Sequence, residues 1–114
     1  MVKRVVYTPD RGDVVWMDFN PQKGHEQAHR RPAIVLSPQA YNKKSGLALV
    51  CPITAHAKGY PFEIVFQDKK VRGAILTDQI RSIDWQARKI VFIQKSTQGL
   101  LVRVQERIVQ LLTE

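Results

Sequence analysis

The sequence predicts a mainly β domain of the α+β class: a compact antiparallel β-barrel with a short helix after strand 2 and a C-terminal amphipathic helix. Three observations predict it. Short apolar runs rich in Val and Ile recur along the chain, separated by Gly-, Pro- and Asp-containing breaks. The tail carries apolar residues at helical spacing, Leu101, Val104, Ile108, Leu111 and Leu112, with charges between them. The length, 114 residues, suits one domain, 1–114, with a single modest core.

Taken in order, Arg11-Gly12-Asp13 signals a turn, and Val14 to Phe19 follows as the first strand. Asn20 to Gly24 is a break. Pro32 to Ser37 has the length and branching of a core strand. Ser37-Pro38 sets a capping hydroxyl before a proline suited to the first helical position, so Pro38 to Lys44 reads as about two helical turns ended by Gly46. Lys43 and Lys44 are exposed charges on it. Leu47 to Pro52 and Phe62 to Phe66 read as strands three and four. Beyond the Asp68-Lys69-Lys70 turn, Gly73 to Leu76 and Arg81 to Ile83 are strand pieces interrupted by Thr77-Asp78-Gln79; Ile90 to Ile93 is one more. Leu100 to Leu112 is the closing helix. Trp16 and Phe19 fit a core or a subunit interface better than a stacking platform, and Trp85 fits either.

Eighteen Lys and Arg against ten Asp and Glu give a net charge of +8. That balance favours an anionic partner such as nucleic acid. Residues 1–46 and 47–114 each contribute +4, so folding, rather than a basic tail, must collect the charge into a groove. No apolar run approaches 18 residues and the N-terminus lacks a long apolar stretch, which points to a cytoplasmic protein without a membrane segment. The single cysteine, Cys51, sits in an apolar run and reads as a small buried hydrophobe.

The densest chemistry lies in His25-Glu26-Gln27-Ala28-His29-Arg30-Arg31-Pro32. Its first five residues match H-E-x-x-H, the zinc-hydrolase pattern of two histidines one helical turn apart with a glutamate as base. Gly24 and Pro32 bracket fewer than two helical turns, and Pro32 disfavours the α region at Arg31. A polar, phosphate-facing loop entering a strand therefore fits better than a metal site, with a solvated charged loop as the plain alternative. A second polar loop runs from Thr54 to Pro61.

These loops and strands together resemble the MazF/PemK family of bacterial toxins, ribosome-independent mRNA endonucleases of toxin–antitoxin systems. The resemblance rests on Gly12 to Pro21, Gly24 to Gln27, Arg31 to Pro38, Tyr41-Asn42, Pro52-Ile53-Thr54, Lys58 to Glu63 and Asp78-Gln79. It implies a small SH3-like or CcdB-like barrel, a homodimer with about +16 net charge that forms an RNA groove, cleavage of single-stranded mRNA with no cofactor or metal, and an acidic MazE-like antitoxin that blocks the groove. By position, Arg31 matches the family's catalytic arginine, Thr54 its essential threonine and Glu26 its acidic loop residue. His25 resembles the histidine of the PemK/Kid branch. Asp78 matches the acidic residue that branch uses in acid–base or binding roles. Two departures stand out: Leu76 replaces an arginine of that branch, and His29 stands where the family carries glycine. Arg30, His56 and Lys58 are candidate phosphate or base contacts, and Phe19, Asn20 and Gln79 complete the set assigned to RNA.

The implied reaction suits these residue types. Attack of a 2′-hydroxyl on its neighbouring phosphate gives a 2′,3′-cyclic phosphate and a 5′-hydroxyl; it needs proton removal, proton donation and stabilisation of added negative charge. Arg31 offers a fixed cation with a planar donor fork, Thr54 a hydroxyl donor, and Glu26 or His25 a base. A non-catalytic toxin or nucleic-acid-binding module on the same barrel, such as a gyrase poison, is the alternative; it would bind its target and leave RNA intact.

Overall fold

In the computed structural model the described residues are 6–19, 30–68 and 70–114. Among these residues seven strands form one curled antiparallel sheet: β1 (Asp13–Asp18), β2 (Arg30–Val35), β3 (Leu47–Thr54), β4 (Glu63–Gln67), β5 (Arg72–Leu76), β6 (Arg81–Asp84) and β7 (Val91–Lys95). The order across the sheet is β4-β5-β3-β2-β1-β7, with β6 also paired to β3. β3 is long enough to serve two partners along one edge, β6 at Leu47 to Val50 and β5 at Ile53 and Thr54. The predicted fold class holds, with two helices, α1 (Gln39–Ser45) after β2 and α2 (Gln98–Thr113) at the end.

Both faces of the central strands are buried, which explains why β1 to β3 are nearly continuous apolar runs rather than strict alternations. On one face Val14, Ile34, Cys51, Ile53, Ile64 and Ile75 pack beneath Leu101 and Val104 of α2. On the other, Val15, Met17, Phe19, Ala33, Val35 and Val50 close against Ile83 and Trp85. Trp85 is thus a core residue, 6% exposed, whereas Trp16 is 40% exposed.

Two local expectations are corrected. Ser37 does not cap α1: the N-cap is Pro38, without a side-chain cap bond. The Ser37 hydroxyl instead donates to Asn42 Oδ1 at 2.6 Å and accepts from Leu49 N at 2.9 Å, because a buried hydroxyl is better satisfied twice by fixed partners than once by a helix end. β2 also starts two residues before Pro32, so Arg30 and Arg31 belong to the strand rather than to the loop before it. Pro32 interrupts nothing there, because it sits opposite Trp16 in a pairing that the proline's missing N–H does not abolish. Gly46 does end α1, in the left-handed conformation at φ 75°.

Candidate functional site

The β1–β2 register decides where the two arginines go. Asp18 lies opposite Arg30 and Met17 opposite Arg31, so the two guanidinium stems leave opposite faces of the sheet. Arg30 meets its cross-strand neighbour: Nη1 donates to Asp18 Oδ1 at 2.9 Å, and Nη2 reaches the Lys89 carbonyl at 3.4 Å. Arg31 is exposed and shares its face with Ala33 and Val35. Ala33 pairs with Pro52 across β2 and β3. Continuing that register by two residues on each strand sets Arg31 and Thr54 at facing positions on the same face.

Thr54 is the last residue of β3, half-buried. Its Oγ1 accepts from the His56 backbone N–H at 3.2 Å, a short side-chain turn that leaves its own O–H to donate. β5 fixes its backbone from the other edge, pairing Ala74 with Thr54. At the adjoining Gly73 an added Cβ would collide with the Thr54 carbonyl oxygen and stand 3.2 Å from Ile53 Cγ2, so only glycine allows this approach.

Beyond Thr54 the chain forms a polar loop clamped at its far end. The Glu63 carboxylate Oε1 accepts from both Lys58 N and Gly59 N, each at 2.9 Å. The buried Thr77 hydroxyl donates to the Phe62 carbonyl at 2.6 Å, and Tyr60 stacks on Phe62 with centroids 5.3 Å apart. A concavity of about 190 Å³ results, lined by Thr54, His56, Lys58 and Gln79 together with Tyr60, Phe62, Glu63 and Leu76. Four residues expected at the site, three from the Thr54–Pro61 loop and Gln79 from the turn after β5, thus line one hollow. A larger hollow of about 610 Å³ between Pro61, Phe62 and the end of α2 holds none of them.

Asp78 is exposed in the turn after β5. Its charge reaches the buried Cys51: burial first, then the Asp78 carboxylate, pushes that thiol up to about 12, so Cys51 is no nucleophile. Phe19 departs from the expected RNA-contact role in its present surroundings. Only 5% of it is exposed, and the Arg81 guanidinium lies 5.4 Å from its ring centroid, covering the face a base would stack on. Asn20, His25, Glu26 and His29 lie outside the described residues. The H-E-x-x-H pattern therefore does too, and among the described residues no cluster of three or more His, Cys, Asp or Glu side chains could hold a metal.

Four contributors were given no site role in the sequence reading: Glu63, Gly73, Arg81 and Arg88. Arg88 Nη1 donates to the carbonyls of Asp18, at 3.2 Å, and of Phe19, tying down the end of β1. Gly73 had a legible signal, since an isolated glycine opening a strand marks a close backbone approach. Glu63 had a weaker one, an acidic side chain just after a Gly-Tyr-Pro turn. Arg81 and Arg88 had none, because their partners are more than sixty residues away.

The fold is a small, basic, curled β-sheet domain with a guanidinium and a hydroxyl on neighbouring strand ends and a hollow against the hydroxyl. The chain belongs to the PemK-like, MazF-like toxin family of type II toxin–antitoxin systems, which it matches over residues 10–112. It is 53% identical over 88 residues to the endoribonuclease toxin MazF of Escherichia coli K12, covering 77% of this chain and 78% of that one. To the Escherichia coli endoribonuclease PemK it is 28% identical over 109 residues, 91% of this chain and 82% of the other. The crystal structure of MazF from Deinococcus radiodurans superimposes with a TM-score of 0.86 at 44% identity, covering 96% of this chain and all of that one. A MazE–MazF crystal structure from the same organism gives a TM-score of 0.84 at 39% identity, over 95% and 98% of the two chains.

Proposed function

We propose that this endoribonuclease toxin cuts single-stranded mRNA by metal-independent attack of a ribose 2′-hydroxyl on the adjoining phosphate. The observation that carries the reading is the β2–β3 register, Ala33 opposite Pro52, which extended by two residues on each strand brings Arg31 and Thr54 opposite each other on one face of the sheet. A phosphate between them meets a fixed cation and a hydroxyl donor, the pair needed as the phosphorus centre gains negative charge. Arg31 stabilises charge rather than shuttling protons, since a guanidinium does not release its proton in the working pH range. Glu26 or His25 takes the 2′-hydroxyl proton. His56, Lys58, Asp78 and Gln79 border the groove in which the strand lies, and Asn20 is a further contact to the RNA.

The test is purified protein with a mixed-sequence RNA in the presence of EDTA, with the ends of the products mapped. Expected are 2′,3′-cyclic phosphate and 5′-hydroxyl ends, a defined recognition sequence, and no cutting of a DNA strand of the same sequence. Loss of cutting in EDTA, or 3′-hydroxyl ends, would overturn the mechanism. The working unit is a homodimer in the cytoplasm, where mRNA is met; sedimentation showing only monomer at micromolar concentration counts against it. An acidic MazE-like antitoxin whose disordered segment lays carboxylates into the groove completes the system. The solved MazE–MazF complexes of Deinococcus radiodurans support that partner. A neighbouring acidic partner that bound without inhibiting cleavage would remove it.

A further inference from the structure

We propose that Glu63 is a positioning residue for RNA binding: its carboxylate fixes the loop that presents His56 and Lys58 beside Thr54. The inference rests on the reading that this loop faces RNA. Its footing is a single oxygen, Oε1, accepting from two consecutive backbone donors, Lys58 N and Gly59 N, both at 2.9 Å. Two successive N–H groups converging on one point make an anion-binding nest, and Gly59 at φ 83° supplies the left-handed turn it requires. Here the anion is the chain's own.

Glu63 is well placed to hold that post. It opens β4, where its backbone is paired with Leu76 of β5, while its own N–H donates to the Tyr60 carbonyl at 3.0 Å. The loop is therefore stapled to the sheet through side chain and main chain at one residue. His56, Ala57, Lys58, Gly59 and Tyr60 are all exposed, so no core packing substitutes for the staple. Arg31 and Thr54 stand on strands held by other pairings, and the loop reaches the reacting groups through the His56 N–H bonded to Thr54 Oγ1, well before the Glu63 staple. Removing the staple frees the backbone under Lys58 and adds an ordering cost on binding, with the strand-borne groups unmoved.

Three variants test this, using an uncleavable 2′-deoxy analogue of a cleaved oligonucleotide for binding and single-turnover cleavage for rate. Glu63→Ala is expected to weaken binding about tenfold and to change the rate at saturation by less than about threefold. Glu63→Gln keeps an acceptor oxygen without the charge and recovers binding to within about threefold of the parent. Gly59→Ala, exposed and with nothing within 4 Å of an added Cβ, strains the same nest without touching the core and weakens binding about fivefold. Lys58→Ala is the control: if it leaves binding unchanged, the reading that this loop meets RNA fails and the inference with it. If Lys58→Ala weakens binding while Glu63→Ala and Gly59→Ala do not, the inference alone fails. It also fails if Glu63→Gln binds as poorly as Glu63→Ala, if the rate falls about a hundredfold with binding kept, or if Glu63→Ala binds more tightly because the vacated nest takes an RNA phosphate. Should Glu63→Ala not fold, Gly59→Ala and Glu63→Gln decide.

Discussion

Gly73 presses its backbone against Thr54: a Cβ on Gly73 would overlap the Thr54 carbonyl oxygen and lie 3.1 Å from its carbonyl carbon. The strand carrying the hydroxyl donor is thus held by a neighbour that has no room for a side chain. Because the obstacle is main chain rather than a mobile side chain, Gly73→Ala must push β5 away from β3 and tilt the end of β3. The expected cost is about 1–3 kcal/mol of stability, with cleavage reduced further than the loss of folded protein explains. Thermal unfolding alongside activity per folded molecule checks it; unchanged activity in the folded fraction would show that Thr54 tolerates the shift.

Asn42 is the polar hub of the β1–α1–β6 corner. Fully buried, it donates through Nδ2 to the carbonyls of Pro9, at 2.8 Å, and Ser37, at 3.0 Å. Its Oδ1 accepts from Ser37 Oγ, and its main-chain oxygen from Trp85 Nε1 at 2.9 Å. Asn42→Ala strands two carbonyls and a hydroxyl in a buried site and is expected to cost about 2–4 kcal/mol. Urea unfolding with an unchanged m-value is the check. A loss below about 0.5 kcal/mol would mean that water replaces the amide.

Stability should fall at both ends of the pH range, through one cluster. Lys95 Nζ lies 2.6 Å from Asp13 Oδ1 and 3.6 Å from Asp10 Oδ2, and the Tyr7 hydroxyl donates to Asp13 Oδ2. Burial works against the Lys95 ammonium, but Asp13 and Asp10 outweigh it and raise its pKa; burial, then the Asp13 hydrogen bond, raises the Tyr7 phenol. Both groups hold protons more tightly when folded, so their stabilisation is complete below the unfolded pKa values and is lost as pH rises beyond about 10. Asp10 runs the other way. Burial raises it, yet the Gln39 and Arg11 backbone N–H groups and Lys95 together bring it below the ordinary value. Its contribution is lost as pH falls below about 4. Melting curves of the parent and Tyr7→Phe between about pH 9 and about pH 11 test the alkaline limb: the variant should lose less, and equal losses would place the effect elsewhere.

Much of this arrangement was legible in the residues because it is local or periodic. The core strands announce themselves as Val- and Ile-rich runs, α2 by the spacing of Leu101, Val104 and Ile108, and the end of α1 by Gly46. What was not legible depends on register. Whether Arg30 meets a phosphate or a carboxylate is settled only when Asp18 is known to lie opposite it, twelve residues away across the pairing. Phe19, read both as a core or interface residue and as one of the RNA contacts, is buried with Arg81 over its ring, which only the fold reveals. The resemblance of short motifs singled out Arg31 and Thr54, which lie in β2 and at the end of β3, whereas the Glu63 clamp is a contact between side chain and loop that no motif spells out.

Adjacent arginines on opposite faces should answer differently to mutation. Arg31→Lys keeps a charge at the site but loses the fork that can grip two phosphate oxygens, and should lower turnover by about a hundredfold or more while RNA affinity changes little. Arg30 has Asp18 and the Lys89 carbonyl as partners, and that second contact fastens β2 to the turn in which Lys89 adopts φ 52°. Arg30→Ala should therefore cost about 0.5–1 kcal/mol of stability, as a partly exposed ion pair does, with turnover at saturation nearly kept. A double-mutant cycle with Asp18→Ala isolates the pair: a coupling energy near zero would show that the ion pair contributes nothing in solution. In that case Arg30 is available to RNA, and Arg30→Ala should instead weaken binding to all sequences and lower the salt slope by about one. Single-turnover cleavage of both arginine variants completes the comparison, and equal losses of turnover from Arg31→Lys and Arg30→Ala would overturn the separation of roles that the β1–β2 register imposes.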